Sequence, residues 1–260
     1  MLAWQGFSIP ICETWQPAVI SGRFNEGYLR LVSESDLYFQ IRWNKGRKPE
    51  SLNKKALEYL SRLEQGFRKR KQPFQPKVDG DGISAGFEWH SSQKGYGSLR
   101  YDECSSRMFM LELSGAKEAS FKRLARELFE GFSVQDGGMR EWRILGLHLA
   151  LPSKFELSNS KLLSGHIQLE FRAKGWHIKA DRWAFAKQII GNNSLSAWAE
   201  AATSMKSEIG DDNLVSLVGR PTLFGKTSSG AVKRFADENK LVLLSGTHPK
   251  GEAVTGDWIR

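Results

Sequence analysis

The chain has 260 residues, 40% hydrophobic and 26% charged, with nine Trp and fifteen Phe. That composition excludes a disordered or collagen-like chain, and no apolar run approaches the roughly 20 residues that span a bilayer. Lys and Arg outnumber Asp and Glu by 38 to 29, a formal charge of +9, which favours polyanionic partners and says nothing about fold.

The opening residues lack the basic and long apolar regions of a secretory signal. The two cysteines, Cys12 and Cys104, lie in no CxxC or Cys/His cluster. A cytoplasmic protein with free thiols and no membrane partner is expected.

Residues 4–10 read as a short apolar strand closed by Pro10, which lacks the N–H that a ladder needs, and Trp15 follows. Residues 27–32 alternate apolar and polar like a half-buried strand. After Ser33-Glu34-Ser35-Asp36, residues 37–43 read as their hairpin partner. Leu52, Ala56, Leu57, Leu60, Leu63 and Phe67 share a helix face, with Ser51 placed to cap it. Strands over 82–90, 97–101 and 108–113 then precede a closing helix with Phe121, Leu124, Ala125, Leu128, Phe129 and Phe132 on one face.

The order then recurs. Residues 142–152 read as an apolar strand ending at Pro152, with Phe155 after it. Residues 165–171 and 176–183 make a second strand pair across Ala173-Lys174-Gly175. Leu195, Trp198, Ala201, Ala202, Met205 and Ile209 share a second helix face capped by Ser194, and strands follow over 214–218, 231–235 and 241–244. Both second strands of these pairs end in Arg-Trp, at 42–43 and 182–183, and Leu-Ser-Gly recurs at 113–115 and 244–246.

These parallels predict an internal duplication. The expected architecture is α+β, with two tandem units, each a mainly antiparallel twisted sheet with helices packed on its faces. The first unit covers 1–134, a linker covers 135–141, and the second unit covers 142–260 with its last helix reduced or absent. The missing helix leaves an apolar sheet face to be covered by the first unit, by the C-terminal tail or by a partner chain. The second unit is therefore the expected docking surface.

Phe7-Ser8-Ile9-Pro10 followed by Trp15 resembles the start of the PsbP-like fold family, and each unit resembles that family in element order. The second unit departs from it, with Phe155 in place of Trp and no clear last helix. The resemblance implies an antiparallel sheet between helices and a non-catalytic module that binds other macromolecules. The family includes an extrinsic photosystem subunit and a nuclear-import factor that binds a small GTPase. The resemblance carries no catalytic residues to this chain.

Several motifs fall short of chemistry. The run from Gly219 to Thr227 resembles a P-loop but puts five residues between its glycines where the pattern needs four. Asp79-Gly80-Asp81-Gly82 starts like a calcium loop, yet its twelfth position is His90 instead of Glu. The five His residues show no metal-ligand spacing, although His166 and His177 lie on neighbouring predicted strands. No catalytic, cofactor or metal residues are expected, and the chain is not expected to be an enzyme.

Two basic segments remain. Lys45, Arg47 and Lys48 lie in a loop before the first long helix, and Arg68, Lys69, Arg70 and Lys71 close that helix, where cations favour the dipole. Trp43, Trp176 and Trp183 adjoin basic residues and are candidate stacking surfaces. The expected function is a non-enzymatic binding or adaptor protein that docks on protein partners within a larger complex. The alternative is a basic accessory protein that binds DNA or RNA through these Lys/Arg loops.

Overall fold

The first apolar run folds as two strands. β1 (Leu2–Trp4) and β2 (Phe7–Ile9) pair across Gln5-Gly6, both left-handed at φ 47° and 77°, as a two-residue type I′ hairpin turn requires. This geometry comes from a computed structural model that describes residues 1–12, 14–80, 84–220 and 226–260, apart from the side chain of Ile209. The chain divides into two units, Met1–Asp136 and Gly137–Arg260.

The first unit continues with β3 (Gln16–Gly22), β4 (Glu26–Val32), β5 (Tyr38–Lys45), α1 (Leu52–Lys69), β6 (Gln75–Gly80), β7 (Ser84–His90), β8 (Gln93–Asp102), β9 (Arg107–Ala116), α2 (Lys122–Glu130) and β10 (Ser133–Val134). Seven strands form one sheet in the order β3-β4-β5-β9-β8-β7-β6, and every pairing is antiparallel. Ser51 caps α1 by accepting from the Lys54 N–H. The helix buries Leu52, Ala56, Leu60 and Phe67 against Ala85, Phe87, Trp89, Leu99 and Met110 of β7, β8 and β9. Gly97 makes room for the Phe87 ring, since a Cβ there would lie 2.0 Å from it. α2 packs on the opposite face, where Phe121 meets Tyr96 edge-on at 5.4 Å; Tyr96 pairs with Leu113.

The second unit opens with the same device. β11 (Met139–Ile144) and β12 (Leu147–Pro152) pair across Leu145-Gly146 at φ 48° and 75°. β11 thus begins inside the segment read as linker, 135–141. β13 (Glu156–Leu163), β14 (His166–Ala173), β15 (Trp176–Ala184), α3 (Ala186–Ile190), α4 (Leu195–Thr203), β16 (Lys206–Gly210), β17 (Leu214–Val218), β18 (Lys226–Phe235) and β19 (Lys240–Pro249) follow. The sheet order is β13-β14-β15-β19-β18-β17-β16, the order of the first unit repeated strand for strand. The protein is thus built mainly of antiparallel sheet. Among the described residues no helix is long and apolar enough to cross a membrane.

Two expectations need correction. The helix expected to reach Ile209 stops at Thr203, because Ser204 turns left-handed at φ 59° and residues 206–210 join the sheet as β16. The two Arg-Trp pairs are not equivalent. Arg42 pairs with Met110 on the α1 side of its sheet, whereas Trp183 pairs with Leu241 on the α4 side and Arg182 points away. The matched sequence is offset by one residue, and a one-residue offset in a strand exchanges faces. Of the three covers expected for the second unit's sheet face, the C-terminal tail is the one observed there. In place of a last α-helix the tail folds back: Val254 and Ile259 are buried. Trp258 meets Phe155 at 5.7 Å and Trp176 at 6.0 Å.

Candidate functional site

The two basic segments do not meet. They flank opposite ends of the 18-residue α1, roughly 27 Å apart by helical rise. All seven cations are exposed, but several are engaged. Lys48 Nζ lies 2.6 Å from Glu103 Oε1. Arg68 pairs with Glu64 at 2.8 Å, one turn earlier. The Arg70 guanidinium sits 4.6 Å above the Phe67 ring.

Two of the three candidate aromatic contacts are core. Trp43 is 2% exposed, donates its Nε1–H to the Arg23 carbonyl at 2.8 Å and meets Phe7 edge-on at 5.2 Å. Trp176 is 6% exposed and enclosed by Phe155, Trp258 and His248. Neither presents a face to a ligand, because each is the large apolar filling of its unit. Trp183 is half-buried, with His166 parallel at 5.0 Å and Trp198 edge-on at 5.5 Å.

The basic loop does line a groove, with partners that sequence reasoning passed over. Between the flank of α1 and the β5 side of the sheet lies a space of about 400 Å³. Arg42 enters from β5, Arg47 from the loop after it, and Lys55 and Arg62 from α1. Half-buried Met108 and the buried Leu99 and Met110 form its apolar floor. Glu58 is the carboxylate on this lining, and it already pairs with Lys55 at 2.8 Å. Residues 42–71 contain eleven Lys and Arg against three Glu, a local surplus of eight beside the whole chain's +9.

The local sequence explains the convergence. Tyr38, Gln40 and Arg42 alternate along β5 and so share a face. Lys55, Glu58, Tyr59 and Arg62 fall three and four apart on one flank of α1. That double periodicity was the available signal, and only the contact between helix and strand reveals it as a site.

A buried carboxylate braces the groove from below. Glu112 is 3% exposed. It accepts from Tyr59 Oη at 2.6 Å and from Gln40 Nε2 at 3.0 Å, and Tyr28 donates to Gln40 Oε1 at 2.9 Å. Burial pushes the Glu112 carboxyl above its ordinary value, against these hydrogen bonds and the Arg42 charge, which pull it down. Burial, then the Glu112 carboxylate, raises the Tyr59 phenol. The network fixes Tyr59 and Gln40 beside the cations.

A second polar cluster is self-satisfied. Asp181, 2% exposed, meets His166 at 2.8 Å, Gln168 at 2.9 Å and Lys179 at 3.1 Å. His166 and His177 do not meet, since they pair with Trp183 and Arg172 at opposite ends of the same ladder. Among the described residues, no three His, Cys, Asp or Glu side chains are grouped to hold a metal ion. Residues 221–225 of the P-loop-like run, and Asp81 and Gly82 of the calcium-like run, lie outside the described residues.

No family model and no curated protein matches the chain.

Proposed function

We propose that this is a non-enzymatic nucleic-acid-binding accessory protein, whose contact surface is the groove between α1 and β5. The observation that carries this reading is the convergence of Arg42, Arg47, Lys55 and Arg62 over an apolar lining. Phosphate neutralisation by such cations releases counterions and supplies most of a sequence-independent affinity. The reading as an adaptor for protein partners has less support, because the second unit's sheet face carries its own tail.

The two units descend, in the same reading, from one duplicated α+β ancestor. Identical strand order supports this, as do the two type I′ hairpins. A buried cation also opens the same strand in each, Arg107 in β9 and Lys240 in β19. The likeness to the PsbP-like fold belongs with this proposal; helices on both faces of the first sheet agree with it.

The test is a salt titration with labelled oligonucleotides. The logarithm of the affinity should fall linearly with the logarithm of salt concentration, with a slope of about −3 to −4 if four cations each meet one phosphate. Arg42→Gln with Arg62→Gln should reduce that slope by about 1.5. Absence of binding to any oligonucleotide at low salt would end the proposal.

A further inference from the structure

We infer that the groove takes a single strand, with bases against its lining and phosphates on its rim, and that duplex is the poorer ligand. This rests on the nucleic-acid reading above and adds the form of the ligand.

Three features of the groove point this way. First, the floor of the groove is apolar: half-buried Met108 lies at its surface, and Leu99 and Met110, both buried beneath α1, back it. A duplex turns charged phosphate and sugar outward, so docking it there would press charge onto methyl and thioether groups. A single strand exposes the flat faces of its bases, which suit such a surface.

Second, the surface continues along the open helix-side face of β4 and β5. Tyr28 lies opposite Arg42 in the ladder, with the guanidinium 5.1 Å from the ring centre. Arg30 sits 4.4 Å from the ring of Tyr38. These side chains are exposed or half-exposed, while Leu29, Leu31, Phe39 and Ile41 on the opposite face are buried. Each ring carries a guanidinium over its face, and such tyrosine–arginine stacks on an open sheet present planar, cationic surfaces on which bases stack without their edges being read.

Third, the Tyr28 platform is pre-set. Tyr28 is held by Gln40, and Gln40 by the buried Glu112. Less side-chain entropy is lost on binding when rings are already fixed. A duplex would use only the rim cations; a single strand uses rim, lining and rings together.

The experiment compares 20-nucleotide oligo(dT), 20-nucleotide oligo(U) and a 20-base-pair mixed-sequence duplex on the full chain at one low salt concentration. The expected result is a preference of tenfold or more for one or both single strands, and the two arms separate DNA from RNA as the source. Tyr28→Ala and Tyr38→Ala should each weaken that binding by about tenfold without changing the salt slope. Tyr38→Phe, which keeps the ring, should retain it; Tyr28→Phe, which keeps the ring but loses the hydrogen bond to Gln40, should bind between wild type and Tyr28→Ala, and an unchanged unfolding midpoint in the alanine variants excludes a folding defect. Equal or tighter binding of the duplex overturns this inference and leaves the nucleic-acid reading standing. Single-strand preference unmoved by both alanine variants overturns the stacking assignment. No binding to any of the three removes the nucleic-acid reading, and this inference with it.

Discussion

Glu112 shows how one buried group links the candidate site to stability. Its carboxyl titrates above its ordinary value because burial disfavours the charge. The folded chain therefore holds this proton more tightly than the unfolded chain does. Stability from this group is full at low pH and declines as pH rises from the ordinary carboxyl value through the raised one. Glu112→Gln should flatten the pH dependence of thermal unfolding and raise the midpoint on the alkaline side. An unchanged pH profile across pH 4–9 would contradict that account. Trp43 is the opposite case, a fully enclosed ring with one hydrogen bond. Trp43→Ala should cost about 3–5 kcal/mol in denaturant unfolding, with oligonucleotide affinity retained where the variant remains folded. At this scale the sequence misled: Trp beside Arg reads alike whether it faces a ligand or the core, and only burial separates the two.

Elements were more legible than residues. The period-3.6 face of α1 and its Ser51 cap were readable, apart from Leu57, which is 56% exposed; so was the hairpin at Lys174-Gly175, where Gly175 takes φ 79°. Strand ends were less so. β3 and β13 carry too few apolar residues to announce themselves, being exposed along much of their length. β16 was hidden behind apolar residues that continued a helical spacing past Ser204. The tail was one of three candidate covers, and its anchoring contacts were the least legible part. Its polar, turn-rich sequence gives no sign that Val254 donates its N–H to Ser229 Oγ at 2.7 Å. The same hydroxyl meets His248 Nε2 at 2.8 Å. Ser229→Ala removes both contacts from a buried site, and each orphaned polar group costs about 1–3 kcal/mol. A lowered unfolding midpoint with increased dye binding to apolar surface is the expected outcome; wild-type behaviour in both measurements would show that the tail is not latched there.

At the scale of the whole molecule, the charge surplus acts through its field. The cations at the end of α1 do not line the groove, lying about 9 Å or more beyond Arg62 by helical rise, yet they add to the potential that draws in a polyanion. Changing Arg68, Lys69, Arg70 and Lys71 to Glu should slow association with an oligonucleotide several-fold and leave the dissociation rate nearly unchanged. Dissociation accelerated as strongly as association is slowed would instead place these residues in contact with the ligand.

Composition, the two hydrophobic periods and the recurrence of element order were determined by the sequence alone, because each depends on neighbours a few residues apart. Which face a strand residue occupies depends on register, and register is set by turns and by pairing between distant segments. Arg42 and Arg62 become one site only because β5 and α1 pack over a common apolar surface. The tail covers its sheet only because Trp258 reaches Phe155 and Trp176. Both juxtapositions join residues far apart in the chain, and no local pattern encodes them.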